Sequence, residues 1–308
     1  NLSMRPTLRQ LQYLVAIADT GRFGEAAERM HVTQPSMSAQ IADMESHLGA
    51  VLLERGRHGA TLTPVGAEVV RRARLILAQV EELRAAASHA DAQLRGRLRL
   101  GVLPSIGPYL LPESAKRLHS RFPDLRLAIR EERTIDIDAH LADGRLDAGI
   151  STAKDHPSCH SLPLFQEDLW VCVSPEDELG QETGPIRLSK LKGKELLSLG
   201  YGHGLSVIVG ELARKAGAHV STEYEGTSLD AIRHMAVMGA GVAIVPSLYV
   251  ASEVRWDQDL VARRLEHPGA RRRISLIWRS TSPLAPQLEL LAEVLAGVGK
   301  DVLSGLDS

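Results

Sequence analysis

From Ala67 to Leu94 the chain runs 28 residues without a Gly or Pro, and Thr63-Pro64 supplies a helix start just before it. Within that run Val69, Ala73, Ile76, Val80, Leu83, Ala87 and Ala90 recur at alternating steps of four and three, which is a heptad seam. A helix of roughly 29 residues would span about 43 Å. Such a helix divides the chain into a short N-terminal segment and a longer C-terminal one. Its seam packs either on a neighbouring domain or on a second copy. The second copy is the preferred reading, because a two-fold dimer covers the seam and presents two N-terminal units at fixed spacing.

The segment before the long helix is itself helical. Leu8, Leu11, Leu14, Val15 and Ala18 fall at helical spacing and Thr20-Gly21 ends them, so Thr7 to Thr20 is the first expected helix. A short second helix, Phe23 to Met30, carries Ala26 and Ala27, small enough for another helix to cross closely. After the turn His31-Val32-Thr33, Thr33 serves as N-cap of a third helix with Pro35 in its first turn. Two short helices across a tight turn form a helix-turn-helix. Met37, Ile41, Met44 and Leu48 make the expected buried stripe of the third helix, which leaves Pro35, Ser36, Ala39 and Asp43 opposite, flanked by Ser38 and Ala42. That face suits close approach to base edges and equally suits a merely solvated helix. Next, Val51 to Arg55 and Ala60 to Thr63 are read as short strands joined by a wing that holds Arg57 and His58.

Beyond Gln93 to Gly96 the pattern changes to short apolar strands alternating with helices. Strands are expected at Leu98–Leu103, Leu125–Glu131, Asp147–Ser151, Leu169–Ser174, Glu195–Leu199, Val242–Val245 and Arg273–Trp278. Helices are expected at Pro108–Arg121, Thr134–Asp143, Leu205–Ala216, Ser228–Met238 and Leu284–Val298. Alternation of this kind implies a mainly parallel α/β sheet. Two lobes are expected, with the chain crossing out near Phe165 and returning near Arg271. Ligands of such sheets bind beyond the strand C-termini, where the loops Pro104–Gly107, Arg133-Thr134 and Gly200–Gly204 offer hydroxyls, an imidazole and backbone N–H groups. A carboxylate or other small oxyanion fits those donors.

Composition excludes several classes. The 308 residues are 44% apolar, ample for buried cores, and contain no apolar run of about 18 residues. Residues Asn1 to Gln10 lack the profile of a secretory signal, so the cytoplasm is the expected location. The two cysteines, Cys159 and Cys172, have no zinc-type spacing, so no metal, cofactor or disulfide framework is expected. Net charge is −2, and residues 1 to 63 hold six Arg against six acidic residues, so any phosphate-binding footprint has to come from placement. Gly239-Ala240-Gly241 precedes a strand, the wrong context for a dinucleotide site, and neither GxxxxGK[ST] nor GxSxG occurs, so an enzyme is not expected. A solute-binding protein would account for the lobes alone and not for the helix-turn-helix.

Phe23-Gly24-Glu25-Ala26-Ala27, Val32-Thr33-Gln34-Pro35-Ser36-Met37-Ser38, Ile41…Met44-Glu45…Leu48-Gly49, Leu52-Leu53-Glu54-Arg55 and Leu62-Thr63-Pro64-Val65-Gly66 together resemble the signature of LysR-type transcription regulators. The resemblance implies an α/β chain in three parts. Residues 1–63 would be a winged helix-turn-helix and 64–94 a dimerising linker helix. Residues 95–308 would be a two-lobed, periplasmic-binding-protein-like effector domain, with lobe I about 95–165 and 271–300 and lobe II about 166–270. It implies DNA contacts from Gln34, Pro35, Ser36, Ser38 and Ala39 on the third helix and from Arg55 and Arg57 on the wing. Ser105, Thr134, Thr152, His203, Gly204 and Ser206 would line the effector cleft. The implied partners are double-stranded DNA, a small-molecule effector with anions among the candidates, and other copies of the chain, as a homodimer paired into a homotetramer. RNA polymerase is a candidate partner; a membrane is not.

Within that family, Gly101 to Pro112, Pro163-Leu164-Phe165, Gly202-His203-Gly204-Leu205, Gly226-Thr227-Ser228-Leu229 and Arg271–Ile274 resemble the peroxide-sensing OxyR branch. The branch's reactive cysteine would fall at Gly204 and its resolving partner at Ala213, and neither residue can form a sulfenic acid or disulfide. Cys172, inside an apolar strand, is expected to be a buried filler and Cys159 an exposed loop thiol. Sensing by a bound ligand is therefore expected in place of thiol chemistry.

Overall fold

The structure is a computed structural model and describes residues 6–56, 59–87, 94–223, 226 and 228–306. It divides into two compact units, one formed by Asn1–Asp91 with Ala142–Arg145 and the other by Ala92–Leu141 with Leu146–Ser308.

In the first unit α1 (Leu8–Thr20) opens with a capping box. The Thr7 hydroxyl accepts from the Gln10 amide, the Gln10 side chain accepts from the Thr7 amide, and Gly21 closes the helix at φ 70°. Helix α2 (Phe23–Arg29) is followed by α3 (Gln34–Leu48), which Thr33 caps through the Ser36 amide, with Pro35 in the first turn. Met37, Ile41 and Met44 are fully buried with Leu14 and Ile17 of α1, as their spacing requires. The stripe stops one position early. Leu48 is 40% exposed, because the helix ends there at the left-handed Gly49. Strands β1 (Leu53–Gly56) and β2 (Gly59–Leu62) pair antiparallel as the wing, and the Ala60 amide donates to the Gly21 carbonyl at 2.8 Å. Arg57 and His58 lie outside the described residues.

Helix α4 is described over Pro64–Ala87, 24 residues, and residues 88–93 of the expected helix lie outside the described residues. The Thr63 hydroxyl accepts from the Gly66 amide at 2.9 Å and donates to the Val51 carbonyl at 2.8 Å. A Cβ on Gly66 would stand 2.0 Å from the Leu52 carbonyl oxygen, so only glycine lets α4 pass this close to the wing. Val70 and Ala73 are buried in the same core as α1, and Val69 packs against it. The first turns of the expected dimer seam are therefore spent inside the unit itself. Ile76 and Leu83 remain exposed, at 42% and 69%. The Ala87 side chain and Ala90 lie outside the described residues.

The second unit holds two lobes. In lobe I, β3 (Gly96–Val102), β4 (Leu125–Glu131) and β5 (Ala148–Thr152) run parallel in the order β4-β3-β5. Helices α5 (Gly107–Arg121) and α6 (Thr134–Ala142) are the crossovers. The expected crossing near Phe165 is one long strand, β6 (Cys159–Val173). Its first part pairs antiparallel with β12 (Arg271–Arg279), whose other edge meets β5, and the register shifts between Ile274 and Ser275. The second part of β6 enters lobe II between β10 (Val242–Pro246) and β11 (Val261–Glu266). Strand β7 (Ile186–Arg187) pairs with β11, and β8 (Glu195–Leu197) and β9 (His219–Val220) extend the β10 side. Lobe II also carries α7 (Glu178–Gln181), α8 (Gly204–Ala216), α9 (Leu229–Val237) and α10 (Ser247–Ser252).

Each lobe has its own apolar core. Leu100, Val102, Ile150 and Leu276 centre one, and Val171, Leu196, Val209 and Ile244 the other. Helix α10 joins them, with Leu248 in the first core and Tyr249 and Val250 in the second. Helix α11 (Ala285–Ser304) closes lobe I through Leu288, Leu291, Leu295 and Val298 and runs on beyond the expected end. No helix among the described residues is long and apolar enough to cross a membrane.

Candidate functional site

The exposed face of α3 carries Gln34, Pro35, Ser36, Ala39, Gln40 and Ala42, with Ser38 half-buried at its edge. Small residues let the helix backbone approach a groove, while Gln34 and Gln40 are long enough to bond base edges. Asp43 departs from this face. Its Oδ2 accepts from Gln10 Nε2 at 2.8 Å, and the same Gln10 nitrogen donates to the Gln40 carbonyl at 3.3 Å. Gln10, 1% exposed, thus braces α1 against α3, a role its place in a capping box did not reveal. Glu45 Oε1 accepts from the Leu52 and Leu53 amides at 2.6 and 3.1 Å and fixes the entry to the wing. The Arg55 guanidinium stacks over the Phe23 ring at 4.8 Å. Arg22 pairs with Glu25 at 3.0 Å and Arg74 with Asp19 at 2.6 Å, so several cations here are already compensated.

In the second unit, the turns that follow β4 and β5 meet the start of α8. Thr134 begins α6 in lobe I, and its hydroxyl oxygen accepts from the amide of Gly204, the first residue of α8 in lobe II, at 2.8 Å. Beside it the Ile135 amide donates to the Gly202 carbonyl at 3.3 Å. Two bonds therefore tie lobe to lobe at this point. His203, at the N-cap position of α8, is 3% exposed, and its Nε2 has no hydrogen-bond partner. Burial, helped by the Arg133 charge and opposed by Asp136, lowers its pKa, so the ring is neutral near pH 7. Ser206 Oγ donates to the His203 carbonyl at 2.7 Å, and the Thr152 hydroxyl donates to Asp155. Asp155 was not among the expected site residues. It ends a single 3-10 turn, Ala153–Asp155, with no periodic signal.

Ser105 has a partner of its own. It is 2% exposed, and its Oγ accepts from Arg272 Nη1 at 3.0 Å. Arg272 Nε donates to Glu167 Oε1 at 2.6 Å, and Glu167 Oε2 accepts from the Leu248 amide at 3.1 Å. Burial pushes the Glu167 carboxyl up, against the pull of Arg272 and the Leu248 amide. Arg272 Nη2 is buried without a partner. Ser105 thus belongs to a buried ion pair at the β6–β12 crossing, and its hydroxyl is engaged there.

Both cysteines are free. Cys172 is fully buried between β10 and β11, and burial pushes its thiol up to about 12. Cys159 is not an exposed loop thiol. It opens β6, is half-buried, and its thiol donates to Asp138 Oδ1 at 3.7 Å. Burial and the Asp138 charge raise its pKa. Asp138 Oδ1 lies 2.7 Å from His156 Nδ1, whose Nε2 lies 2.8 Å from Ser151 Oγ. The order is that of a hydrolase triad, but Ser151 is completely buried in β5, so the three brace the turn after that strand. Among the described residues no group of three His, Cys, Asp or Glu side chains could hold a metal ion.

A winged helix-turn-helix followed by a two-lobed α/β domain with a cleft at strand C-termini defines a ligand-responsive DNA-binding regulator. Residues 8–67 match the family model of the bacterial regulatory helix-turn-helix protein, lysR family, and residues 91–300 match the LysR substrate binding domain. The chain belongs to the LysR family of transcription regulators. It is 35% identical over 289 residues, 94% of each chain, to the DNA-binding transcriptional dual regulator OxyR of Escherichia coli K12. It is 33% identical to a probable hydrogen peroxide-inducible genes activator of Streptomyces viridosporus, covering 97% of this chain and 96% of the relative. Among solved structures, a full-length OxyR variant from Pseudomonas aeruginosa superposes with a TM-score of 0.79 at 31% identity, covering 94% and 97% of the two chains. A hydrogen-peroxide-bound Corynebacterium glutamicum OxyR variant gives 0.67 at 30%, covering 98% and 97%. The LysR family regulator CbnR gives 0.64 at 26%, covering 94% and 99%. The chain is therefore a LysR-type DNA-binding transcriptional regulator with an effector-binding domain. Regulators of this family bind DNA and small-molecule effectors and form oligomers.

Proposed function

We propose that this regulator responds to a small polar effector held between its lobes at Thr134, Thr152, His203, Gly204 and Ser206, and that it does so without thiol chemistry. The carrying observation is at Gly204, where the resemblance puts the reactive cysteine of peroxide sensors. A Cβ there would stand 2.9 Å from Asp155 Oδ2 and 3.2 Å from Thr134 Oγ1, so the closed cleft leaves a side chain little room. Hydrogen peroxide, named for several relatives, fits this reading as a bound ligand. The ligand biases lobe closure by its differential affinity for the two states.

On the DNA side, Gln34, Pro35, Ser36, Ser38 and Ala39 read the major groove, with Arg55 and Arg57 on the wing. Ile76 and Leu83 supply a homodimer seam, two dimers pair into a tetramer, and the assembly acts in the cytoplasm with RNA polymerase as a further contact. The domain plan is a DNA-binding unit, a linker helix from residue 64 and an effector domain from about residue 95. The test is footprinting of the full chain on operator DNA with and without peroxide, for wild type and for Cys159→Ser/Cys172→Ser. A footprint change that survives loss of both thiols supports ligand sensing. A change that disappears with them overturns it.

A further inference from the structure

The start of α8 is where an anion would be drawn, because unpaired amides and the helix dipole converge there. In this chain that position is already guarded by a carboxylate. Gly204 lacks a side chain, and the carboxylate of Asp155, arriving from the turn after β5 in the opposite lobe, comes to 2.9 Å from the point where a Cβ of residue 204 would be. The Thr152 hydroxyl donates to the same Asp155 oxygen and holds it in place. The Gly204 amide is not free either, since Thr134 Oγ1 accepts from it at 2.8 Å. The nearby cations are engaged by other carboxylates: Arg133 pairs with Asp136 at 2.7 Å and Arg272 with Glu167 at 2.6 Å. Besides Arg272 Nη2, which is buried without a partner, two uncharged groups among the described residues of this region keep unused hydrogen-bonding capacity. The first is the Thr134 hydroxyl hydrogen. The second is Nε2 of His203, a side chain 3% exposed at the N-cap position of α8.

We infer that Asp155 is a specificity-determining residue of the effector cleft, a built-in anion that excludes anionic effectors and selects an uncharged ligand able to donate hydrogen bonds, such as a hydroxyl- or hydroperoxyl-bearing molecule. The inference rests on the proposed cleft. It replaces the expectation of a carboxylate effector with a preference for an uncharged one. An incoming carboxylate would meet Asp155 at close range in a partly desolvated site, where like charges repel strongly. A neutral donor would instead find the Asp155 carboxylate as acceptor.

The probe is formate, the smallest carboxylate, with isosteric formamide as its neutral counterpart, titrated into the full chain by calorimetry and thermal shift in the absence of DNA. Asp155→Asn removes the charge and keeps the shape, and Asp155→Ser serves as a second variant with a shorter neutral side chain. Glu211→Gln removes one exposed carboxylate further along α8 and controls for net charge. Both Asp155 variants are expected to bind formate at least about tenfold more tightly than wild type, a gain of one close charge interaction, with formamide binding no tighter and Glu211→Gln unchanged. Equal formate binding by wild type and the Asp155 variants overturns the inference, and so does an equal gain in Glu211→Gln. Because this readout needs no DNA, it fails separately from the footprinting test.

Discussion

The hydroxyl oxygen of Thr134 accepts a hydrogen bond from the backbone amide of Gly204, and that 2.8 Å contact joins the first residue of α6 in lobe I to the first residue of α8 in lobe II. Helix starts carry amides that have no partner within their own helix. Here one of them is satisfied from the opposite lobe, so a single bond both caps the helix and ties the lobes.

Replacing Thr134 by Val keeps the shape and removes the acceptor. Leaving the Gly204 amide unpaired costs about 1–3 kcal/mol. Amide exchange at residue 204 is expected to accelerate by at least about fivefold, since each 1.4 kcal/mol is a factor of ten. Unchanged exchange would mean that the contact does not protect that amide.

Putting a cysteine back at residue 204 does not restore a redox switch. The new Cβ would displace Asp155 Oδ2 from 2.9 Å and crowd Thr134 Oγ1 at 3.2 Å, which breaks the Thr152–Asp155 bond at a cost of about 0.5–1.5 kcal/mol. Gly204→Cys is expected to unfold at lower urea than wild type. Peroxide treatment followed by peptide mapping is expected to show no disulfide from residue 204 to 213, which is Ala in this chain.

Gln10→Ala removes the brace between α1 and α3 and leaves the Asp43 carboxylate without the donor at 2.8 Å. A loss of about 1–3 kcal/mol in the first unit is expected, with operator affinity falling and unfolding of the effector domain unchanged. Two-probe denaturation, with separate reporters in each unit, reads this directly. Parallel loss in both units would contradict a local role.

Thiol alkylation should follow pH in a specific way. Only thiolates react, and both cysteines are shifted toward the thiol form, Cys172 up to about 12. In native protein at pH 7, iodoacetamide is expected to modify Cys159 more slowly than a free thiol and Cys172 not at all. A native pKa above the unfolded value also means that burial of Cys172 as a thiol stabilises fully below about pH 8.5. That contribution fades as pH rises toward 12. Rapid labelling of Cys159 at neutral pH would point to an activated thiol and reopen redox sensing.

Much of this fold was legible from spacing. The turn before α3, the capped starts and the strand–helix alternation all arise from short-range patterns, and β4 (Leu125–Glu131) matches its expected limits. Strands β7, β9 and β11 were not legible, because they are short or carry charges, as in Val261-Ala262-Arg263-Arg264. Arg263 is buried there and donates to the carbonyls of Leu179, Thr183 and Gly184, contacts about 80 residues away in sequence that no local pattern encodes. The same limit hid the site partners. Thr134 and His203 were visible as loop residues, whereas Asp155 and Arg272 owe their positions to long-range packing.

Helix α4 begins inside the DNA-binding core, with Gly66 against Leu52 and Val70 and Ala73 buried beside α1. It acts on that core as a lever with an embedded fulcrum, because its root cannot pivot without displacing the residues packed around it. Over 24 residues the arm is about 36 Å long, so a 5° tilt moves one end by about 3 Å relative to the other, close to one base-pair rise. Any angular change about that root is therefore magnified along the helix into a displacement the size of a base-pair step.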